Sequence, residues 1–190
     1  MFKKLFLALG LIFSINVKAA TINDVIVSIN QKIIFETNIT AGFDWKVGDS
    51  AKYNLNAGFI KGSMAIAVKA ITADLLTLSQ DMDLGFAGKQ ACEMQINPNT
   101  GETKSMVCNG QNQQLPNKDD SEVTDMQDDT VTVPAGTFQC VRFTIQNKKD
   151  GKTSEQWVNP KLVPVVGLIK TTAPSQLGQV TIELTSFKKN

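Results

Sequence analysis

The side chains able to do chemistry here are few, and what is missing decides as much as what is present. There is no histidine among the 190 residues, which removes Ser-His-Asp and Cys-His catalysis and the commonest zinc ligand. Three cysteines, Cys92, Cys108 and Cys140, show no C-x-x-C spacing, and no metal site is assigned to them. No glycine-rich phosphate loop of GxxxxGKS/T or GxGxxG spacing occurs. The acidic segment Asp119, Asp120, Glu122, Asp125, Asp128 and Asp129 offers oxygen ligands of the kind calcium takes. It lacks the EF-hand spacing and reads as solvated carboxylates. Asp81 and Asp83 share a strand face and could work as an acid–base pair, but a solvent-facing strand is the simpler account. Arg142, on a face with Phe138 and Cys140, is the only arginine. Its planar guanidinium suits a phosphate or carboxylate headgroup at the mouth of an apolar groove, or a structural pairing with a carboxylate such as Glu155 or Asp49. The expectation is a non-enzymatic protein with no cofactor.

The elements that must position these groups centre on Val131–Lys170. Pro134-Ala135-Gly136 turns the chain, and from Thr137 a period of two sets Val141, Phe143 and Ile145 on one face and Phe138, Cys140 and Arg142 on the other. Asp150-Gly151 is a two-residue hairpin signal whose simplest register puts Phe143 opposite Val158 and Thr144 beside Trp157. Pro160 and Pro164 break the ladder before Val165–Lys170 extends again.

Residues 1–19 read as a signal peptide: Lys3 and Lys4, an apolar run from Leu5 to Ile15, and Val17-Lys18-Ala19 as cleavage site, with Ala20 the runner-up. Removing them takes away three lysines and no acids, moving the formal charge from +1 to −2. That balance argues against nucleic acid, and the later apolar runs are too short for a membrane span. Export to the periplasm, or secretion, is expected. The remainder, 20–190, has the length of one domain able to bury roughly 70% of its unfolded surface.

Export makes disulfides admissible. Cys92 and Cys108 flank the turn Asn97–Gly101, and a register whose pair numbers sum to 200 sets them directly opposite each other, with Met94 opposite Met106. A shift of two residues would keep the faces and part the sulfurs. Cys140 is left over as a small buried side chain.

After the leader, Thr21 and Asp24 have capping-box spacing, and a short helix is expected to about Asn30. Strands follow near Ala51–Asn56, Ser63–Ile71, Leu75–Asp83, Lys89–Ile96, Glu102–Asn109 and Gly178–Phe187, with one in doubt at Glu122–Met126 and a polar loop over Gly110–Asp120. The fold class is mainly β: a single curved antiparallel sheet, half-barrel or partly closed, with a short N-terminal helix. Several strands are apolar or small on both faces, as at Ala65 and Ala67, so both sides need cover. Trp45, Tyr53, Leu76, Leu78, Met82, Phe143, Trp157 and Leu168 are candidate cavity lining, or plain core.

VTVPAGTFQC at Val131–Cys140, WVNP at Trp157–Pro160, VPVVGLIK at Val163–Lys170 and WKVGDSAKYNL at Trp45–Leu55 together resemble a group of uncharacterised exported bacterial proteins. That group is similar in architecture to the periplasmic lipoprotein carriers and their outer-membrane acceptor, the LolA/LolB-like half-barrels. The resemblance implies an envelope location and a lipid or acyl-chain ligand in the hollow of the sheet. The alternative expectation is an envelope interaction module with a filled core and a protein partner.

Overall fold

The computed structural model describes residues 44–115, 121–175 and 178–190. The leader expected over 1–19 and the helix expected from Thr21 lie outside them. Six strands come first: β1 (Ser50–Ala57), β2 (Ile60–Ile71), β3 (Leu76–Asp83), β4 (Lys89–Ile96), β5 (Thr103–Cys108) and the two-residue β6 (Gln111–Asn112). Five follow: β7 (Ser121–Val133), β8 (Gly136–Asn147), β9 (Thr153–Val158), β10 (Leu168–Ser175) and β11 (Gly178–Lys188). All eleven lie in one antiparallel sheet of order β6-β5-β4-β3-β2-β1-β11-β10-β9-β8-β7, so it is mainly β and not closed into a barrel. Among the described residues the one helical piece is a 3-10 turn at Gly85–Ala87.

Two meanders are therefore joined by a single long-range pairing, β1 against β11, in which Leu55 meets Ile182 and Tyr53 meets Leu184. Every other ladder joins strands consecutive in the chain, because short turns make sequence neighbours spatial neighbours. The exception is the link from β6 to β7, which must travel from one edge of the sheet to the other. A flat sheet of this order would set those edges about 48 Å apart. The nine steps from Asn112 to Ser121 span at most about 32 Å. The chain's own connectivity thus forces the sheet to roll. A second contact agrees: the Ala135 amide at the β7–β8 turn donates to the Leu184 carbonyl of β11 at 3.0 Å, although β8 and β11 are three strands apart in order. Phe138 and Phe187 meet there, ring centroids 6.4 Å apart.

The hairpin carrying Cys92 and Cys108 adopts the register summing to 200, with Met94 opposite Met106, and the two cysteines are joined by a disulfide across a Cα–Cα distance of 4.1 Å. The Asp150-Gly151 turn differs from the expected two-residue connection. The Asn147 amide donates to Lys152 O and the Gly151 amide to Asn147 O, with Gly151 at φ 69°. The Asn147 and Asp150 carboxamide and carboxylate oxygens take the Lys149 and Lys152 amides, which holds a four-residue turn. Val141 consequently pairs with Val158 and Arg142 with Trp157. The register is two residues from the expected one, so faces are kept and partners change.

Two further strands depart from the sequence reading. The doubtful strand at Glu122–Met126 is the start of the thirteen-residue β7. The segment expected to extend from Val165 begins its ladder only at Leu168 and continues through Pro174. Val165, at φ 70°, belongs to the preceding loop, where the Asn159 amide donates to Gly167 O.

Candidate functional site

Alternation along the strands sends one set of side chains to the buried face of the rolled sheet. On it Tyr53 neighbours Met64 and Leu184, Met64 neighbours Met82, and Leu78 lies between Val68 and Met94. A second row runs Met126–Phe143–Gln156–Thr171–Ile182–Leu55 across six strands. Six of the eight candidate lining residues, Tyr53, Leu76, Leu78, Met82, Phe143 and Leu168, share this face, and none is more than 6% exposed. Tyr53 crosses β11 to donate its hydroxyl to Leu168 O at 3.2 Å, and burial pushes its phenol well above the ordinary range.

The other two lining candidates stand elsewhere. Trp45 precedes β1 and donates its indole N–H to Val165 O at 2.7 Å, while Val163 and Val165 of the same loop are buried. The loop and the indole thus pack into the hydrophobic core. Trp157 faces the opposite side, since its ladder partners are Arg142 and Lys170 and their neighbours along the chain carry the buried set. This corrects its assignment to the cavity: Trp157 is buried by polar neighbours on the open face.

Arg142 is placed by the same register. It belongs to an open-face row, Gln127–Arg142–Trp157–Lys170–Glu183–Asn54–Ser63–Asp83–Lys89, that crosses nine strands. Its guanidinium meets Glu155 at 3.3 Å and Asp129 at 3.9 Å; with the Gln127 amide turned, that oxygen accepts from it too. Asp129 also takes the Trp157 indole N–H at 2.8 Å. That bond first, then the Thr130 amide and the Arg142 charge, hold its carboxyl below the usual range. Lys170 bridges to Glu183 at 2.9 Å and lies over the Trp157 ring at 5.7 Å. Arg142 is therefore on the far side of the sheet from the lining set and held by carboxylates, which corrects its placement at the groove mouth. Asp49 is not its partner: it accepts the Lys46 and Asn190 amides instead.

Asp83 pairs with Lys89 at 3.0 Å, and that contact and the Gly85 amide hold its carboxyl low. Asp81 stands beside it in an open groove of about 580 Å³ that includes Ala65, Lys52 and Thr185. The disulfide sulfurs are buried, and Cys140, the free thiol, points at Asp129 O. Burial, then the Asp129 charge, push that thiol up, which makes it a poor nucleophile. Among the described residues no three Cys, Asp or Glu side chains converge as a metal set.

Sequence reading missed the polar members of the buried face. Gln80, Gln90, Thr103, Ser154, Gln156 and Thr171 are all buried. The Gln80 amide reaches only Met64 Sδ, at 2.8 Å, and Thr171 donates to Glu155 O. Among the described residues, Gln80 Oε1, Gln90 Oε1, Thr103 Oγ1, Ser154 Oγ and Gln156 Oε1 have no partner. The signal was available in the alternation itself, which puts Gln80 between Leu78 and Met82 and Gln90 beside Cys92.

Among the described residues the buried face has an exposed rim on β7. Val123 and Met126 of β7 pair with Ile145 and Phe143, so they belong to that face, yet they are 43% and 65% exposed. They form the rim where the unpaired edge of β7 ends the sheet.

No family model matches the sequence, and no curated protein does. Among solved structures, the hypothetical protein CT021 from Chlamydia trachomatis aligns with a TM-score of 0.51 at 11% identity, over 82% of this chain and 91% of that one. At that identity the likeness shows a shared fold. A Bacteroides fragilis protein with a YmcC-like fold, assigned as exported, aligns at TM-score 0.45 and 14% identity over 78% of this chain and 99% of that one. MucB aligns at TM-score 0.45 and 9% identity over 86% of this chain and 58% of its own. Neither of the latter two carries an argument here, and the likeness to the lipoprotein carriers stays an expectation.

Proposed function

We propose that this chain is an exported envelope protein that works by binding, and that its ligand is an amphiphile held against the buried face and entering over β7. The observation that carries this is the rim: Val123 and Met126, apolar and exposed, lead directly to Phe143 and Ile145. One strand further in, Ser154 and Gln156 pair with Ile145 and Phe143 and present oxygens without partners among the described residues. An acyl chain lying on the apolar residues gains about 0.8 kcal/mol per buried methylene, and a hydroxyl or amide on the same molecule would satisfy the two oxygens. A leader-like N-terminus and a disulfide support the location. The absence of histidine supports binding over catalysis.

The test is native mass spectrometry, with lipid extraction, on protein purified gently from the envelope that made it. A retained amphiphile, lost on Met126→Asp, is the expected result; a clean ligand-free species defeats the proposal. A second reading has its own observation. Trp45, Val163 and Val165 pack into the core, as in a scaffold with a filled core. In-cell cross-linking that captures one dominant protein, with no amphiphile in the same preparation, would favour that reading.

A further inference from the structure

Two large apolar side chains stand far out from the fold at neighbouring turns. Phe59, in the β1–β2 turn, is 70% exposed, and Phe86, in the 3-10 turn between β3 and β4, is 79% exposed. Their rings stack at a centroid distance of 6.1 Å with 13° between planes. They are held outward by backbone. Gly58 and Gly85 adopt φ of 61° and 62°, a region open to glycine at little cost. The Leu84 amide donates to Gly88 O, the Ala87 amide to Leu84 O, and the Gly85 amide to the Asp83 carboxylate. Gly62 lets the two turns abut, since a Cβ there would run into the Asp83 carbonyl.

We infer that this stacked pair is a membrane-surface contact: the turn end of the sheet dips Phe59 and Phe86 into the interfacial region of a phospholipid bilayer. Three observations choose the occupant. The pair is small, since two aromatic side chains offer about 300–500 Å² at most, against roughly 800 Å² per partner in a stable protein interface. It is convex and projects from turns, which suits a soft lipid interface. The local charge is positive: Lys61, exposed beside Phe59, makes no ion pair among the described residues, while Lys89 is balanced by Asp83. Lysine next to aromatic rings is the pairing that headgroup phosphates and acyl chains accept together. The inference is independent of the ligand site, which lies at β7, at the edge of the sheet.

The experiment is flotation of the protein, purified from the extracytoplasmic fraction, with vesicles of phosphatidylcholine and of phosphatidylcholine mixed with phosphatidylglycerol. The wild type should float with both, more with the anionic mixture, and less there as salt rises. Phe59→Ser with Phe86→Ser should lower partitioning by at least about tenfold on both, with an unchanged thermal midpoint because the rings are outside the core. Lys61→Glu should remove only the anionic increment, and Met126→Asp should float like wild type. Wild type that stays in the soluble fraction, or a double Phe variant that floats equally, overturns the inference. So does a concentration-dependent dimer abolished by the double variant, or a single protein captured by a photo-cross-linker at Phe86 in intact envelopes.

Discussion

Breaking the Cys92–Cys108 bond should destabilise the fold by about 3 kcal/mol. The bond closes a loop of sequence separation 16, and the loop-closure relation for a chain of that length gives this figure as the entropy returned to the unfolded state. Position adds a local consequence. The β4–β5 hairpin lies next to an edge of the sheet, with only the two-residue β6 beyond it, so few ladder bonds compensate if it loosens. For a domain of this size the loss corresponds to a fall of roughly 6–12 °C in thermal midpoint. Guanidinium unfolding of the oxidised and dithiothreitol-reduced wild type is the cleaner comparison. Cys92→Ala with Cys108→Ala would also remove two buried sulfurs and add cavity cost. A thiol titration in denaturant without reductant should count one thiol, that of Cys140. A stability difference under about 1 kcal/mol, or three titrating thiols, would refute the assignment.

Three more outcomes follow from contacts on both faces. Asp129→Asn should flatten the acid limb of the stability profile: a carboxyl held low by Trp157, Thr130 and Arg142 stabilises fully above its unfolded value, near 3.9. That contribution is lost as pH falls through the depressed folded value, and Trp157 fluorescence should follow the same transition in the wild type only. Tyr53→Phe removes the donor to Leu168 O and should cost about 1 kcal/mol by denaturant unfolding; no change would mean the hydroxyl has another arrangement. Gly167→Ala places a Cβ 2.9 Å from Pro160 Cα at φ 69° and should cost more than about 1 kcal/mol; a neutral result would show that the loop before β10 is free to shift.

The strands and their faces were legible because period two is a local property: Val180, Ile182 and Leu184 declare one side of β11 without any partner in view. The register of β4 on β5 was legible because the turn at Asn97–Gly101 is compact and like residues oppose like. Where turn chemistry was subtler, the reading slipped: Asn147 and Asp150 side-chain caps widened a turn that the Asp-Gly pair alone suggested was tight. β7 was hard to see because it is acidic, with Asp125, Asp128 and Asp129 on an edge strand, where charge keeps a free ladder from pairing with a neighbour. The face of Trp157 and Arg142 was legible, because a slip of two keeps parity and both stand on the face opposite to that of Phe143 in either register; only their cross-strand partners changed. The unpartnered Ser154 and Gln156 went unnoticed for a different reason: attention to apolar alternation passes over a polar residue that keeps the phase.

The most direct measurement of the central claim is photo-cross-linking with an acyl probe bearing a terminal hydroxyl, followed by peptide mapping. Labels confined to β7, β8 and β9, at Val123, Met126 and Phe143 and around Ser154, are the predicted result, and a probe lacking the hydroxyl should label less. Labels spread over the open face near Lys52 and Thr185, or none at all, would contradict a ligand seated against the buried face.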